Sequence, residues 1–161
     1  MGKEEIEKIK TIFSKLKLNP TYLEHKEVLT SVDAAKTRGF ELKQGIKALL
    51  FTDEKNWVIV DVPADKKVDI KKVCSILNWQ KSKTRMATPE EVIEKTGCVV
   101  GAVPPFGHKN IIPILVDKGV YENIESDFNI GLRTNSVKIK TAEMKSVFMH
   151  VNALEGDFSK D

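Results

Sequence analysis

The sequence contains little cysteine, since Cys74 and Cys98 are the only two among 161 residues. Two cysteines placed far apart provide no disulfide framework, and no C-x-x-C pair suggests a structural zinc. His25 and His150 also lack metal-ligand spacing to each other or to either cysteine. We therefore expect free thiols in a reducing compartment and no metal site.

Long hydrophobic runs and an excess of charge are also missing. No apolar run approaches the roughly 20 residues needed to cross a bilayer, and the first residues, MGKEEIEKIK, have no signal-peptide core. We expect a cytoplasmic protein with no membrane partner. The 26 basic residues against 23 acidic ones leave a net charge of +3, which permits a polyanionic partner without requiring one.

The composition is that of a globular chain, with 41% hydrophobic and 30% charged residues. We expect one domain: an amphipathic helix in residues 1–18 that belongs to it, a main body at 19–154 and a frayed tail at 155–161. Strands and helices are intermixed without strict βαβ alternation. This predicts an α+β (mixed α/β) fold, with a mostly antiparallel or mixed central sheet surrounded by helices.

Two apolar runs at 46–51 and 57–62 flank the polar segment TDEKN, which predicts a hairpin of two buried strands. Lys47 is a charge inside the first run. An unpaired buried ammonium is costly, so this lysine either faces solvent on the outer side of the strand or lies beside a partner in a cleft. The pattern alone favours the solvent-facing position.

The segment TGCVVGAVPPFGHKN, residues 96–110, follows a helix with a T-x-x-E capping box at Thr88 and Glu91. Its prolines fix φ and its glycines allow another molecule to approach the backbone, but it is neither a Walker loop nor G-x-G-x-x-G. On pattern alone a structural turn is favoured. Nothing brings Cys98 and His108 together as nucleophile and base, so a buried thiol and a surface imidazole are the favoured interpretation.

The loop and the lysine strand together resemble the YbaK family, also called the prolyl-tRNA-synthetase-associated or editing-domain family. TGCVVGAVPPFG resembles the family's Gly-x-x-x-Pro loop, and GIKALLF its lysine-bearing strand. Supporting segments occur in the family's order, namely YLEH with SVDAAKTRG, VDIKKV, MATPEEVIEKTG and ILVDKGVYE. The resemblance spans residues 6–150.

This resemblance implies a hydrolase that deacylates mischarged tRNA, chiefly proline tRNA carrying alanine or cysteine. It implies that Lys47 and Gly101 are catalytic and that Lys47 faces the backbone of residues 101–105. It implies no cofactor, no metal and no protein nucleophile. The other residues it implies for the substrate are Ala102, Val103, Pro104, Pro105, Phe106, Gly107 and Gly131. Independently of the resemblance, Lys66, Lys67, Lys71 and Lys72 belong to a basic cluster; such a cluster is usually a solvated face, and its alternative role is contact with the tRNA backbone.

The expected partners are the aminoacylated tRNA acceptor end and prolyl-tRNA synthetase, and no DNA. Two departures weaken alanine as the substrate: Ala48 stands where alanine-removing members have Asn after the lysine, and DFNIGLRT lacks their histidine. Cysteine or another small amino acid therefore stays open as the one that is removed from the tRNA. The alternative function is a non-catalytic module of the same fold that binds tRNA or a synthetase.

Overall fold

The computed structural model describes residues 1–27, residue 36 and residues 41–161. Within them, the α-helices are α1 (Lys3–Lys15), α2 (Ile70–Leu77), α3 (Pro89–Thr96) and α4 (Thr141–His150). The strands are β1 (Thr21–Glu24), β2 (Ile46–Thr52), β3 (Trp57–Pro63), β4 (Lys67–Val68), β5 (Arg85–Met86), β6 (Ile114–Asp117), β7 (Glu125–Asn129), β8 (Asn135–Lys140), β9 (Leu154–Gly156) and β10 (Ser159–Lys160). Short 3₁₀ helices cover Leu42–Gln44, Lys81–Lys83 and Lys118–Glu122. The segment SVDAAKTRG falls, apart from Lys36, outside the described residues.

A five-stranded sheet of order β5-β2-β3-β6-β9 forms the centre of the molecule. β2 pairs antiparallel with β5 and β3, whereas β3, β6 and β9 run parallel to one another. The β2–β3 hairpin is the predicted one, and in its register Lys47 pairs with Val62. The mixed sheet, with helices around it, confirms the predicted fold class.

One face of this sheet belongs to the first core cluster, which also takes in a three-stranded antiparallel sheet of order β1-β8-β7. Alternate residues of β2, including Ile46 and Leu50, point into it. α1 contributes Ile9 and Phe13, both fully buried. Each such side chain stabilises the fold by about 1.5–3 kcal/mol through removal of apolar surface from water. α1 therefore packs into the first core cluster.

The opposite face of the five-stranded sheet carries the second core cluster, made by Phe51, Val58, Val60, Val62, Val68, Val73, Leu115 and Phe158. The predicted frayed tail at 155–161 is wrong, because this segment belongs to that cluster. β9 pairs with β6, β10 pairs with β4, and the Phe158 ring is 1% exposed. The Asp117 carboxylate accepts hydrogen bonds from the Phe158 N–H at 2.7 Å and the Ser159 hydroxyl at 3.0 Å. The free energy gained by burying a whole aromatic ring offsets the conformational entropy that the chain end loses when it is ordered.

No helix in the described part of the chain is long and apolar enough to cross a membrane.

Candidate active site

The glycine- and proline-containing loop starts where α3 ends. Thr88 and Glu91 form the predicted capping box, with the Glu91 N–H donating to the Thr88 hydroxyl at 3.2 Å. Gly97 ends the helix with φ +79°, a left-handed conformation in which a side chain is strained. Its carbonyl accepts from the Gly2 N–H at 3.0 Å, so the start of α1 holds the start of the loop.

Buried side chains anchor the second half of the loop. The Phe106 ring is fully buried and makes edge contacts with Phe13 of α1, at 5.6 Å between ring centroids, and with Phe128 of β7, at 6.1 Å. Gly107 has φ +80°, and a Cβ there would come within 2.8 Å of Ile9. The environment of Phe106 and Gly107 is thus the core and α1, and a substrate contact by either stays a prediction. Pro104 and Pro105, directly before Phe106, are buried as well.

His108 is buried, so its predicted surface position is wrong. Its ring Nε2–H donates to the Pro104 carbonyl at 2.7 Å, which places the proton on Nε2 and ties the loop across its two prolines. Burial lowers the pKa of His108 to about 4, and the positive charge of Lys8 acts in the same direction. The imidazole is therefore neutral at pH 7.

Cys98 is fully buried, as predicted for a structural thiol. Burial raises its pKa to about 12, and the negative charge of Glu5 adds to the effect. Its sulfur lies 3.7 Å from the Thr96 carbonyl oxygen. A protonated thiol without access to solvent is a poor nucleophile, which agrees with the rejection of a Cys98–His108 dyad.

Gly101 is exposed, as is Val100 before it. It has φ +87° and lies inside a turn that is closed by a hydrogen bond from the Ala102 N–H to the Val99 carbonyl at 3.0 Å. Ala102 itself is fully buried and Val103 packs on the first core cluster. Among the described residues, the Gly101 N–H donates to no protein acceptor. The loop therefore presents the Gly101 N–H as a backbone donor beside the buried Ala102.

Two side chains near the β7–β8 turn hold the carbonyls on either side of that donor. The Arg133 guanidinium donates to the Val100 carbonyl from Nε at 3.1 Å and from Nη2 at 2.7 Å. Its Nη1 is 2.9 Å from a carboxylate oxygen of Glu27. The Asn129 side-chain amide donates to the Gly101 carbonyl. The sequence analysis considered DFNIGLRT, which contains both residues, only for a missing histidine; it singled out neither, because each acts through a contact between segments distant in the chain.

Lys47 is half-buried near the start of β2. Burial lowers the pKa of its ammonium, the Asp65 carboxylate raises it, and the Lys67 charge lowers it again. Lys47 thus occupies a charged environment, neither fully in solvent nor in an apolar interior. Its electrostatic neighbours come from the segment that follows β3.

The register of β2 places the Lys47 side chain on the face of its partner Val62, which belongs to the second core cluster. Phe106 of the loop packs in the first core cluster, on the other face. What joins the two regions is β7: Gly45 bridges Asp127, and Asn129 holds Gly101. The residue before β2 and the loop therefore both contact β7, while direct opposition of Lys47 and the loop stays a prediction.

Asp61 of β3 is a buried carboxyl that the sequence analysis did not single out. It pairs with Ala48 on β2 and with Val116 on β6, and it is fully buried. Neither carboxyl oxygen has a hydrogen-bond partner among the described residues. Burial raises its pKa well above the usual range, so it is expected to be protonated. The strand pattern could not reveal it, since an acidic residue between apolar ones also fits an exposed position.

The four lysines predicted to contact tRNA differ in their partners. Lys66 forms an ion pair with Asp161, and Lys72 binds Asp157 at 2.9 Å. Lys67 and Lys71 are exposed and have no ion-pair partner in the described part of the chain. The last segment of the fold thus neutralises half of this group.

Gly131 lies in the turn that also carries Arg133. It is buried, and a Cβ at this position would come within 2.5 Å of the Gly2 carbonyl oxygen. Close packing against the start of α1 accounts for the glycine by itself. Its contact with substrate stays a prediction.

Comparison with known proteins gives a consistent result. The profile of the family described as "Aminoacyl-tRNA editing domain" matches residues 25–147. The multifunctional Ser/Thr-tRNA deacylase ProXp-y of Escherichia coli K12 is 33% identical over 124 residues, which cover 74% of this chain and 73% of that protein. The proline–tRNA ligase of Thermosipho melanesiensis is 32% identical over 93 residues, covering 58% of this chain but 16% of the ligase.

Solved structures share the fold. A crystal structure of a candidate trans-editing enzyme for prolyl-tRNA synthetase superposes with a TM-score of 0.80 at 24% identity, covering 98% of both chains. The hypothetical protein APE2540 superposes with a TM-score of 0.84 at 22% identity, covering 95% of this chain and 99% of its own. At these identities the likeness concerns the arrangement of the backbone.

Proposed function

Because this chain belongs to the aminoacyl-tRNA editing-domain family, we propose that it is a deacylase that hydrolyses the ester between a wrongly attached small amino acid and its tRNA. The observation that supports this most directly is the exposed Gly101 backbone. Its N–H is held in place by the anchored loop and is available for an oxygen atom of the substrate. Such a fixed donor stabilises negative charge that develops on an ester oxygen during attack by water.

The chemistry needs no protein nucleophile. An aminoacyl ester is already activated, so placing it and a water molecule correctly supplies much of the acceleration. Cys98 is protonated and buried, and His108 is neutral and occupied by the Pro104 carbonyl, so neither is suited to the step. The work falls to the backbone of residues 101–105 and to the Lys47 ammonium.

Lys47 is proposed to neutralise a phosphate or carbonyl oxygen of the terminal adenosine. Its half-buried position supports this, since an ammonium in a partly dry site attracts an anion more strongly than one in water. Burial lowers the pKa of Lys47, and the Asp65 carboxylate opposes this effect in favour of the charged form that the role requires. The exposed Lys67 and Lys71 would extend the positive surface along the tRNA backbone.

For the amino acid, we propose serine or threonine as the first candidates and alanine or cysteine on proline tRNA as the second. The E. coli relative, at 33% identity, is a Ser/Thr-tRNA deacylase. Ala48 and the lack of a histidine in DFNIGLRT argue against alanine. Selection among small side chains by pocket size is modest, so more than one of these esters can be hydrolysed. The proposed partners are the aminoacylated acceptor end and prolyl-tRNA synthetase.

A deacylation panel tests the proposal. Proline tRNA charged with alanine, cysteine, serine or proline, together with seryl- and threonyl-tRNA, is incubated with wild type, Lys47→Ala and Lys55→Ala. We expect wild type to hydrolyse at least one non-cognate ester, and Lys47→Ala to be slower by about 100-fold, the scale of one lost electrostatic contact to the transition state. Lys55, exposed in the turn at the far end of the same hairpin, is the matched control and should have no effect.

The outcomes separate the parts of the proposal. Wild-type rates no higher than the spontaneous rate with every ester would contradict the deacylase function and favour the binding-module alternative. Full activity of Lys47→Ala would contradict only the role of the lysine.

A further inference from the structure

We propose that Arg133 is the positioning residue of the active-site loop: it sets the direction of the Gly101 N–H by donating two hydrogen bonds to the Val100 carbonyl. This rests on the deacylase function proposed above. Arg133 would not touch the substrate, and it would act through the peptide group between Val100 and Gly101. The evidence is the geometry of its three hydrogen-bonded nitrogens.

The guanidinium is fixed at both ends. Nε and Nη2 converge on the Val100 oxygen at 3.1 and 2.7 Å, and Nη1 is held by Glu27 at 2.9 Å. A planar guanidinium gripped in this way cannot rotate without breaking a charge-assisted bond. The side chain is 30% exposed, so these bonds are partly protected from water.

The hydrogen bonds from Arg133 to the Val100 carbonyl determine where the Gly101 N–H points. A trans peptide is planar, and its carbonyl and N–H lie on opposite sides. With the Val100 oxygen held toward Arg133, the N–H of Gly101 must point away from the guanidinium. The next peptide is held in the same manner, since Asn129 binds the Gly101 carbonyl and the Ala102 N–H closes the turn to Val99.

The close contact of the guanidinium with Gly101 also explains part of the need for glycine. A Cβ on Gly101 would be 3.4 Å from the Arg133 Nε, and the φ of +87° strains any other residue. Gly101 and Arg133 therefore form one unit: the glycine permits the conformation and the arginine retains it. A change in either is expected to misdirect the donor.

Single-turnover deacylation distinguishes positioning from binding. With the ester that wild type hydrolyses best, Arg133→Lys and Arg133→Ala should lower the maximal rate by about 10- to 100-fold, since small misplacement of a reacting group has effects of this size. The enzyme concentration at half-maximal rate should change by less than about threefold, because the tRNA contacts remain. Lysine keeps the charge but cannot make the planar three-nitrogen contact, so it should not rescue.

Chemical rescue supplies a readout that a loss of stability would not produce. Millimolar guanidinium should restore part of the rate of Arg133→Ala, and sodium chloride at the same ionic strength should not. Arg85→Ala is the matched control. Arg85 also binds carboxylates, of Glu54 and Glu91, at 2.7 Å each, but at β5, away from the loop. Its loss should leave the rate unchanged with or without guanidinium.

A wild-type rate for Arg133→Lys would overturn the proposal. An unchanged maximal rate with a higher enzyme concentration at half-maximal rate would also overturn it, because that result would make Arg133 a tRNA contact. If wild type hydrolyses no ester, the deacylase function fails, and amide hydrogen exchange still decides on the positioning. Arg133→Lys must then speed exchange at the Ala102 amide, which is bonded to the Val99 carbonyl across this peptide, and unchanged exchange there rejects the proposal.

Discussion

His108 shows how one residue controls the loop through its protonation state. The buried ring donates its Nε2–H to the Pro104 carbonyl, a bond that by itself raises the pKa, but burial outweighs it and keeps the ring neutral. Lys8 donates to the His108 carbonyl at 2.7 Å. A second proton on the imidazole would place a charge in this site with the Lys8 ammonium close by. The loop conformation is therefore coupled to pH through a residue that has no part in the chemistry.

The folding stability of the protein is expected to depend on this histidine between pH 6.5 and 4. The folded pKa of about 4 lies below the ordinary 6.5, so the unfolded chain takes up the proton first as the pH falls. The contribution is complete above pH 6.5 and is lost on acidification, by roughly 3 kcal/mol in total. Urea unfolding of wild type and His108→Gln across this range measures it. The variant should show a shallower fall, and parallel curves for the two proteins would contradict the assignment.

At the scale of elements, the site depends on contacts between segments that are distant in sequence. The loop after α3 is held by α1 through Gly2 and Ile9, and by the β7–β8 turn through Arg133. The last two strands are likewise held by β6, whose Asp117 accepts hydrogen bonds from the Phe158 N–H and the Ser159 hydroxyl. The position of each of these segments is thus fixed by contacts with other segments that are distant in sequence.

The segment 154–161 is expected to be essential for stability. Phe158→Ala removes a fully buried ring from the second core cluster and should lower the unfolding free energy by about 3–5 kcal/mol. Leu154→Ala is the control in the same segment, since Leu154 is 50% exposed and its loss should change stability by less than about 0.5 kcal/mol. Denaturant titrations of both variants provide the comparison. Similar small effects for the two would mean that the tail does not contribute to the core.

At the scale of the whole molecule, positive and negative charges nearly balance, but some of the lysines form ion pairs and others do not. The net charge is only +3. Lys66 and Lys72 are tied to Asp161 and Asp157, whereas Lys67, beside Lys47, and Lys71 are open to solvent. Binding of a polyanion should therefore depend on the open lysines more than on the total charge.

The salt dependence of tRNA binding tests whether the unpaired lysines contribute more to binding than the ion-paired ones. Lys67→Ala and Lys71→Ala should each weaken binding similarly for all tRNAs and reduce the slope of log K against log salt by about 1. Lys66→Ala and Lys72→Ala should have smaller effects, because these lysines must first give up an ion pair. Filter binding at several salt concentrations measures the slopes. Four equal slope changes would show that the ion pairs do not restrain Lys66 and Lys72.

Local signals in the sequence determined the parts of this protein that depend on neighbouring residues. The capping box at Thr88, the left-handed Gly97 and the β2–β3 hairpin arise from interactions within a few positions, so each was predictable. The Gly-x-x-x-Pro loop and the lysine strand also sufficed to indicate the family, which the match over residues 25–147 establishes.

Only the tertiary structure decided how the site is held together. It buried His108, placed Lys47 on the face opposite Phe106, ordered the last strands and brought Arg133 to Val100, 33 positions away. None of these has a local pattern, because burial and hydrogen-bond direction depend on which distant segments pack together. Chain proximity drew attention to the side chains of Cys98 and His108. Packing instead leaves the Gly101 backbone as the exposed donor and hydrogen-bonds Arg133 to the peptide that orients it.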